Sequence, residues 1–293
     1  EIVILSNLRH RNIAKFYGSA EILPNYHHIC MELCYTDLQR YFINTRTKPP
    51  EEVEVRPIIL HILHALEYLE LNRIVHNDIK PSNIGLNSRL KAKLLDFGSA
   101  YSLDEILVTG SRPAGTLVFQ PPEFFLSSSN FMSTSYECFD CKTDIWSVGV
   151  TIYFICSHRL PYEGNTYFEI LEKMRSTLLV FEDERFSQEL QIFIRSSLAR
   201  NNKQRPNAKE CLNFEWIAKE NQKCHKKFNK MIYRKKPKIL KSVADKNKGH
   251  LRKKNLDLDF SDSISYTGLE EDPDFYESIC WNRLPKKYRG SCI

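Results

Sequence analysis

The run His76-Asn77-Asp78-Ile79-Lys80-Pro81-Ser82-Asn83, with Asp96-Phe97-Gly98 beginning thirteen residues beyond Asn83, constrains this 293-residue chain more than any other feature. Asp78 can accept the proton of a hydroxyl, and Lys80 can reach a phosphate in transfer. Asn83 and Asp96 offer the hard oxygen ligands that magnesium demands. Phosphoryl transfer asks a protein for little covalent chemistry; a positioned hydroxyl, neutralised phosphate charge and a held metal suffice. Any one of these residues is common in a turn or at a helix cap, but all four at these spacings are not.

The pattern around this run alternates short strands with helices. Glu1 to about Arg11 reads as the end of a helix, with Leu5 and Leu8 on one face. Phe16-Tyr17-Gly18 and His28 to Leu33 read as two strands about a turn at Pro24-Asn25. Val55 to Asn72 is an amphipathic helix whose stripe is Ile59, Ile62, Leu63, Leu66 and Leu69. Asp144 to Cys156 is nearly all apolar and reads as a buried helix. Phe168–Ser176, Gln188–Arg200 and Ala208–Lys219 complete the helical set.

The stretch resembles the catalytic loop and metal-binding turn of protein kinases. The resemblance implies an α+β, protein-kinase-like fold: a mostly helical large lobe with only the remnant of the small N-terminal lobe. Catalytic-domain residues would be 1–218, with the small-lobe remnant at 1–33 and the large lobe at 34–218. It further implies ATP and Mg2+ as cofactors and proteins as substrates. A Lys at position 80 resembles the serine/threonine class.

The resemblance also assigns roles beyond the catalytic loop. Gly115-Thr116 and Pro121-Pro122-Glu123 resemble the end of an activation segment running from Asp96 to Glu123, with Thr116 hydrogen-bonding Asp78 and Lys80. Asp144 would secure the catalytic-loop backbone, and Arg205 would form a bidentate, partly buried pair with Glu123. Leu5, Phe16, His76 and Phe97 match a stacked column between lobes. Met31 would be the gatekeeper, and Glu32 to Cys34 the hinge that binds adenine. Glu1 falls on the glutamate that pairs with a phosphate-binding strand lysine. That lysine and the Gly-rich loop would precede Glu1, so residues 1–293 alone are expected to be a poor catalyst.

Three departures shape the reading. Asn77 stands where most kinases have Arg, so no activation-loop phosphate can be gripped there. Activity is therefore expected not to depend on phosphorylating Thr109 or Ser111. Gly85 falls where an apolar side chain usually forms the adenine floor, a loss of about 1–2 kcal/mol in nucleotide affinity. Ser82 replaces an acidic residue, so strong preference for basic substrates is not expected. Phe119-Gln120-Pro121-Pro122-Glu123, Asp144 to Tyr153 and Leu160-Pro161-Tyr162-Glu163-Gly164-Asn165 are similar to the liver kinase B family of tumour-suppressor serine/threonine kinases. That similarity implies other kinases as substrates, including AMP-activated-kinase relatives, with a pseudokinase adaptor and a helical-repeat scaffold as partners. The competing reading is a pseudokinase adaptor that binds without catalysis.

Charge separates the two ends of the chain. From Lys219 onward 19 Lys and Arg face 10 Asp and Glu, a balance of +9; the residues before it carry 23 against 26, a balance of −3. The tail at 219–293, basic and then acidic, reads as extended, disordered or docking. Its sparse aromatics favour a solvated or import segment over specific nucleic-acid binding. Nine Cys read as free thiols, with Cys138 and Cys141 as two loop thiols, since no second pair completes a zinc site. No run of eighteen apolar residues marks a membrane span. With no leader visible after Glu1, a cytoplasmic or nuclear protein is expected.

Overall fold

In the computed structural model, residues 1–23, 26–105, 115–129, 140–181 and 185–219 are described. Residues 1–222 form one compact unit. The Pro24-Asn25 turn, Thr109, Ser111, Cys138 and the tail from residue 220 lie outside the described residues.

Helix α1, Ile2–Asn7, buries Leu5, and Leu8 just beyond it is buried too. It stops sooner than the sequence pattern suggests because Leu8 turns to extended backbone. Strands β1, Phe16–Leu23, and β2, Tyr26–Met31, pair antiparallel, with Phe16 opposite Met31. The pairing continues past β2, where the Glu32 N–H donates to the Lys15 carbonyl at 2.8 Å. Strand β3, Thr36–Asp37, then opens the second sheet.

Helix α2, Glu52–Leu71, carries the apolar stripe read from the sequence, and Ile59, Ile62, Leu63 and Leu69 are fully buried. Its first turn is anchored by Glu52, whose carboxylate accepts from Ser187 Oγ at 2.8 Å and Trp216 Nε1 at 3.2 Å. Arg73, just past the helix end at φ 57°, donates its N–H to the Glu70 carbonyl. That left-handed turn leads into β4, Ile74–Val75. A single 3₁₀ turn at Pro81–Asn83 precedes β5, Ile84–Leu86, and β6, Ala92–Leu94. The sheet order is β3-β5-β6, all antiparallel. A separate ribbon pairs β4 with β7, Tyr101–Ser102.

Among the described residues the chain continues with the helices α3, Pro122–Ser129; α4, Lys142–Ser157; α5, Tyr167–Ser176; α6, Gln188–Ser197; α7, Ala208–Leu212; and α8, Glu215–Ala218. Helix α4 is buried along most of its length, as its apolar sequence requires. It packs against α2 and α6. Two helical expectations need correction. The helix beginning at Gln188 ends at Ser197 rather than Arg200. The stretch 208–219 is two short helices, split where Phe214 becomes extended at ψ 140°. The split lets Phe214 and Trp216 both pack on the Phe193 ring, at 5.4 and 5.2 Å. Burial of Trp216, 0% exposed, outweighs helix continuity.

Candidate active site

The β5–β6 hairpin gives the site its geometry. Ile84 pairs with Leu94, and beyond that register the Leu95 N–H donates to the Asn83 carbonyl at 2.9 Å. The antiparallel ladder thereby sets Asn83 beside the residue that leads into Asp96. His76 ties the two stretches together again. Its Nδ1 accepts the Asp78 N–H at 3.3 Å, so its proton resides on Nε2 and is donated to the Leu95 carbonyl at 2.9 Å. Burial pushes the His76 pKa down, which keeps the ring neutral. Phe97 packs edge-on against that ring at 4.7 Å.

Asp144, at the start of α4, anchors the loop from below. Its two oxygens accept the His76 and Asn77 N–H groups, each at 2.8 Å. Asn77 adopts φ 64° in the left-handed region, where Asn is better tolerated than most residues. Burial pushes the Asp144 carboxyl up to about 7, against the two N–H groups that favour its anion.

The carboxylate of Asp78 is 6% exposed for its residue and accepts from three neighbours. Lys80 Nζ lies 2.7 Å from Oδ2, Asn83 Nδ2 lies 2.9 Å from Oδ2, and the Thr116 N–H donates to Oδ1 at 2.9 Å. Lys80 also donates to Thr116 Oγ1 at 2.7 Å. Burial raises the Asp78 pKa, but the Lys80 and Thr116 hydrogen bonds and the Lys80 charge outweigh it, and the net shift is downward. Asp78 is therefore an anion at neutral pH.

Asn83 spends its amide nitrogen on the carbonyl and carboxylate of Asp78, at 3.0 and 2.9 Å, so its amide oxygen is the atom that could meet a cation. Asp96, at φ 56°, accepts the Gly98 N–H on Oδ1 at 3.1 Å. Two hard oxygens fit magnesium, which takes one or two protein ligands and fills its octahedron with water and phosphate oxygens. Among the described residues, no group of three His, Cys, Asp or Glu could hold a metal unaided.

The remaining expected positions are distributed around this centre. Glu1 is exposed, and its carboxylate lies over Gly98. Leu5 is buried, while Phe16 and Met31 are half-buried. Glu32 is engaged by Lys93 at 2.5 Å, and Cys34 is half-buried. Gly85 departs from the expected missing floor. A Cβ there would lie 2.7 Å from Cys34 Sγ and 2.8 Å from Leu95 Cδ1, so those side chains already occupy the space. The Cys34 thiol, pushed up to about 12 by burial, stays uncharged there. Cys141 is a free thiol in the turn that precedes α4, and it is buried beside Val75 and Tyr101. Ser82 is exposed.

The Glu123–Arg205 pair is more buried than expected. The guanidinium meets both carboxylate oxygens, at 2.8 and 3.1 Å, and donates to the Lys142 and Ala199 carbonyls. Gln120 was not singled out by sequence reasoning. It is fully buried, and its amide donates to the Asn77 carbonyl at 2.6 Å. Its place in the Phe119–Glu123 run was the only signal, and no spacing rule assigns that partner.

Comparison with known proteins places the chain in a family. The chain is 33% identical over 179 residues to "Calcium-dependent protein kinase 6" of Plasmodium berghei, covering 59% of this chain and 11% of that protein. It is 30% identical over 223 residues to "Serine/threonine-protein kinase par-4" of Caenorhabditis briggsae, covering 74% of this chain and 33% of that one. It is 31% identical over 180 residues to "Serine/threonine-protein kinase STK11" of Rattus norvegicus, covering 59% of this chain and 39% of that one. The chain thus spans well under half the length of these curated relatives. Residues 1–217 match the protein kinase domain, and over that majority of its length this chain belongs to the protein kinase family.

Proposed function

We propose that this protein transfers the γ-phosphate of ATP to Ser and Thr hydroxyls of protein substrates. The observation that carries the reading is the Asp78 carboxylate, ionised and held at once by Lys80, Asn83 and Thr116. In this reading Asp78 orients the substrate hydroxyl and accepts its proton. Lys80 balances charge on the side shared with Thr116. Asn83 and Asp96 would hold magnesium, and ATP with magnesium supplies the phosphoryl group and neutralises its oxygens. Asp144 and His76 keep the loop backbone in place without touching the reactants. Glu32 and Cys34 would meet the base, and Glu1 would meet the phosphate-binding lysine.

Similarity to par-4 and STK11 supports the serine/threonine class. Substrates that are themselves kinases, with an adaptor and a helical-repeat scaffold as partners, are the finer expectation, supported by the Phe119–Glu123 and Leu160–Asn165 segments. A cytoplasmic or nuclear location is proposed on the free cysteines, among them Cys141, Cys156 and Cys211, all buried. Among the described residues no helix is long and apolar enough to cross a membrane.

The test is phosphoamino-acid analysis. The protein expressed from its complete coding sequence is incubated with radiolabelled Mg-ATP and casein. Label on Ser or Thr that disappears with Asp78→Asn supports the reading. Binding of Mg-ATP without any transfer to casein or to the protein itself would favour the adaptor reading.

A further inference from the structure

Gln120 is a wholly buried polar residue that the proposed chemistry leaves unused. Its Nε2 donates to the Asn77 carbonyl at 2.6 Å. Among the described residues its buried Oε1 has no hydrogen-bond partner. A buried amide with one idle oxygen costs more than an apolar side chain of the same length, unless its donor is needed.

What that donor holds is the peptide that carries Asp78. The Asn77 N–H is fixed by Asp144 at 2.8 Å on one side, and the Asn77 carbonyl is fixed by Gln120 on the other. Between those two bonds Asn77 sits at φ 64°. Gly115 completes the arrangement. A Cβ at that position would overlap both the Asn77 carbonyl oxygen and the Gln120 amide nitrogen, so glycine is required here by close approach. The next residue, Thr116, is then delivered with its N–H on Asp78 Oδ1 and its hydroxyl on Lys80. Ser147 Oγ secures the same segment from α4 by donating to the Phe119 carbonyl at 2.8 Å.

We propose that Gln120 is a positioning residue, which with Gly115 clasps segment 115–120 onto the Asn77–Asp78 peptide and so sets the orientation of the Asp78 carboxylate. This rests on the reading that Asp78 accepts the substrate proton. The clasp itself can be tested without that reading, through the Thr116 N–H that it places.

The experiment uses the protein from its complete coding sequence, wild type and Gln120→Met, which keeps side-chain length and removes the donor. Amide hydrogen exchange at Thr116 is read together with casein phosphorylation kinetics and Mg-ADP affinity. The expected result is Thr116 exchange faster by about ten-fold or more. With it, kcat falls by about ten-fold or more while the ATP KM and Mg-ADP affinity stay within about two-fold. A general loss of packing would move all of these quantities together. Unchanged Thr116 protection, or unchanged kcat despite faster exchange, would overturn the proposal. If Gln120→Met does not fold, Gln120→Leu, which likewise removes the donor, gives the same readouts. If the wild type transfers no phosphate, the kinase reading fails, and the exchange arm alone decides the clasp.

Discussion

Arg205 grips Glu123 with two nitrogens, at 2.8 and 3.1 Å, across 82 residues of sequence, and its guanidinium is fully buried beneath Trp146 at 5.2 Å. The pair joins α3 to the turn before α7. It also reaches the Lys142 carbonyl at the start of α4, two residues before Asp144. Removing one partner leaves the other charge buried and unpaired, at a cost of about 3–5 kcal/mol. Glu123→Gln and Arg205→Met are each expected to lower the unfolding free energy, measured by urea denaturation, by an amount in that range. The double variant should be less destabilised than the sum of the two. Strict additivity in the cycle would contradict the pairing.

Thr116 contributes two separate contacts, a backbone N–H to Asp78 and a side-chain oxygen to Lys80. Thr116→Ala keeps the first and removes what the side-chain hydroxyl contributes at Lys80 and Asp78. It is expected to lower kcat by about ten-fold, the equivalent of one hydrogen bond to a charged group. Thr116→Ser retains the oxygen and should stay within about three-fold of wild type. Steady-state phosphorylation rates of the two variants check this.

Asp144 gives a pH dependence with a definite sign. Burial holds its carboxyl near 7 in the folded protein, against an ordinary value of 3.8. Between those values the native state binds a proton that the unfolded state does not. The stability contributed by this group is therefore fully present below about pH 4 and is lost as pH rises towards 7. Asp144→Asn carries no such proton. The stability advantage of wild type over the variant should shrink between about pH 5 and about pH 8, measured by urea unfolding at both. An advantage that grows over the same interval would contradict the assignment.

At Gly85 the space for a side chain is filled by Cys34 and Leu95. Gly85→Ala is expected to destabilise by about 1–3 kcal/mol through overpacking, although alanine is ordinarily well tolerated in place of glycine. Adding Cys34→Gly should recover much of that loss. Thermal unfolding of the single and double variants decides the matter.

The candidate centre was legible because its parts are local. Asp78, Lys80 and Asn83 lie within six residues, and Asp96 follows one hairpin later, so spacing alone brought them together. The long helices were legible through their apolar periodicity, as at Ile59, Ile62 and Leu63. Contacts between distant segments were harder to read. Nothing in the sequence pairs Gln120 with the Asn77 carbonyl or moves Cys34 into the space at Gly85, because both depend on how separate segments pack. The break at Phe214 belongs to the same class, since local propensity favours a continuous helix and only burial against Phe193 overrules it.

Single-turnover phosphoryl transfer by wild type and Asp78→Asn, at saturating Mg-ATP, tests the central claim most directly. The variant is expected to bind nucleotide within about two-fold of wild type but to transfer phosphate slower by about 100-fold or more. Equal transfer rates in the two proteins would contradict it, because the Lys80, Asn83 and Thr116 contacts would then be holding a carboxylate that the chemistry does not use.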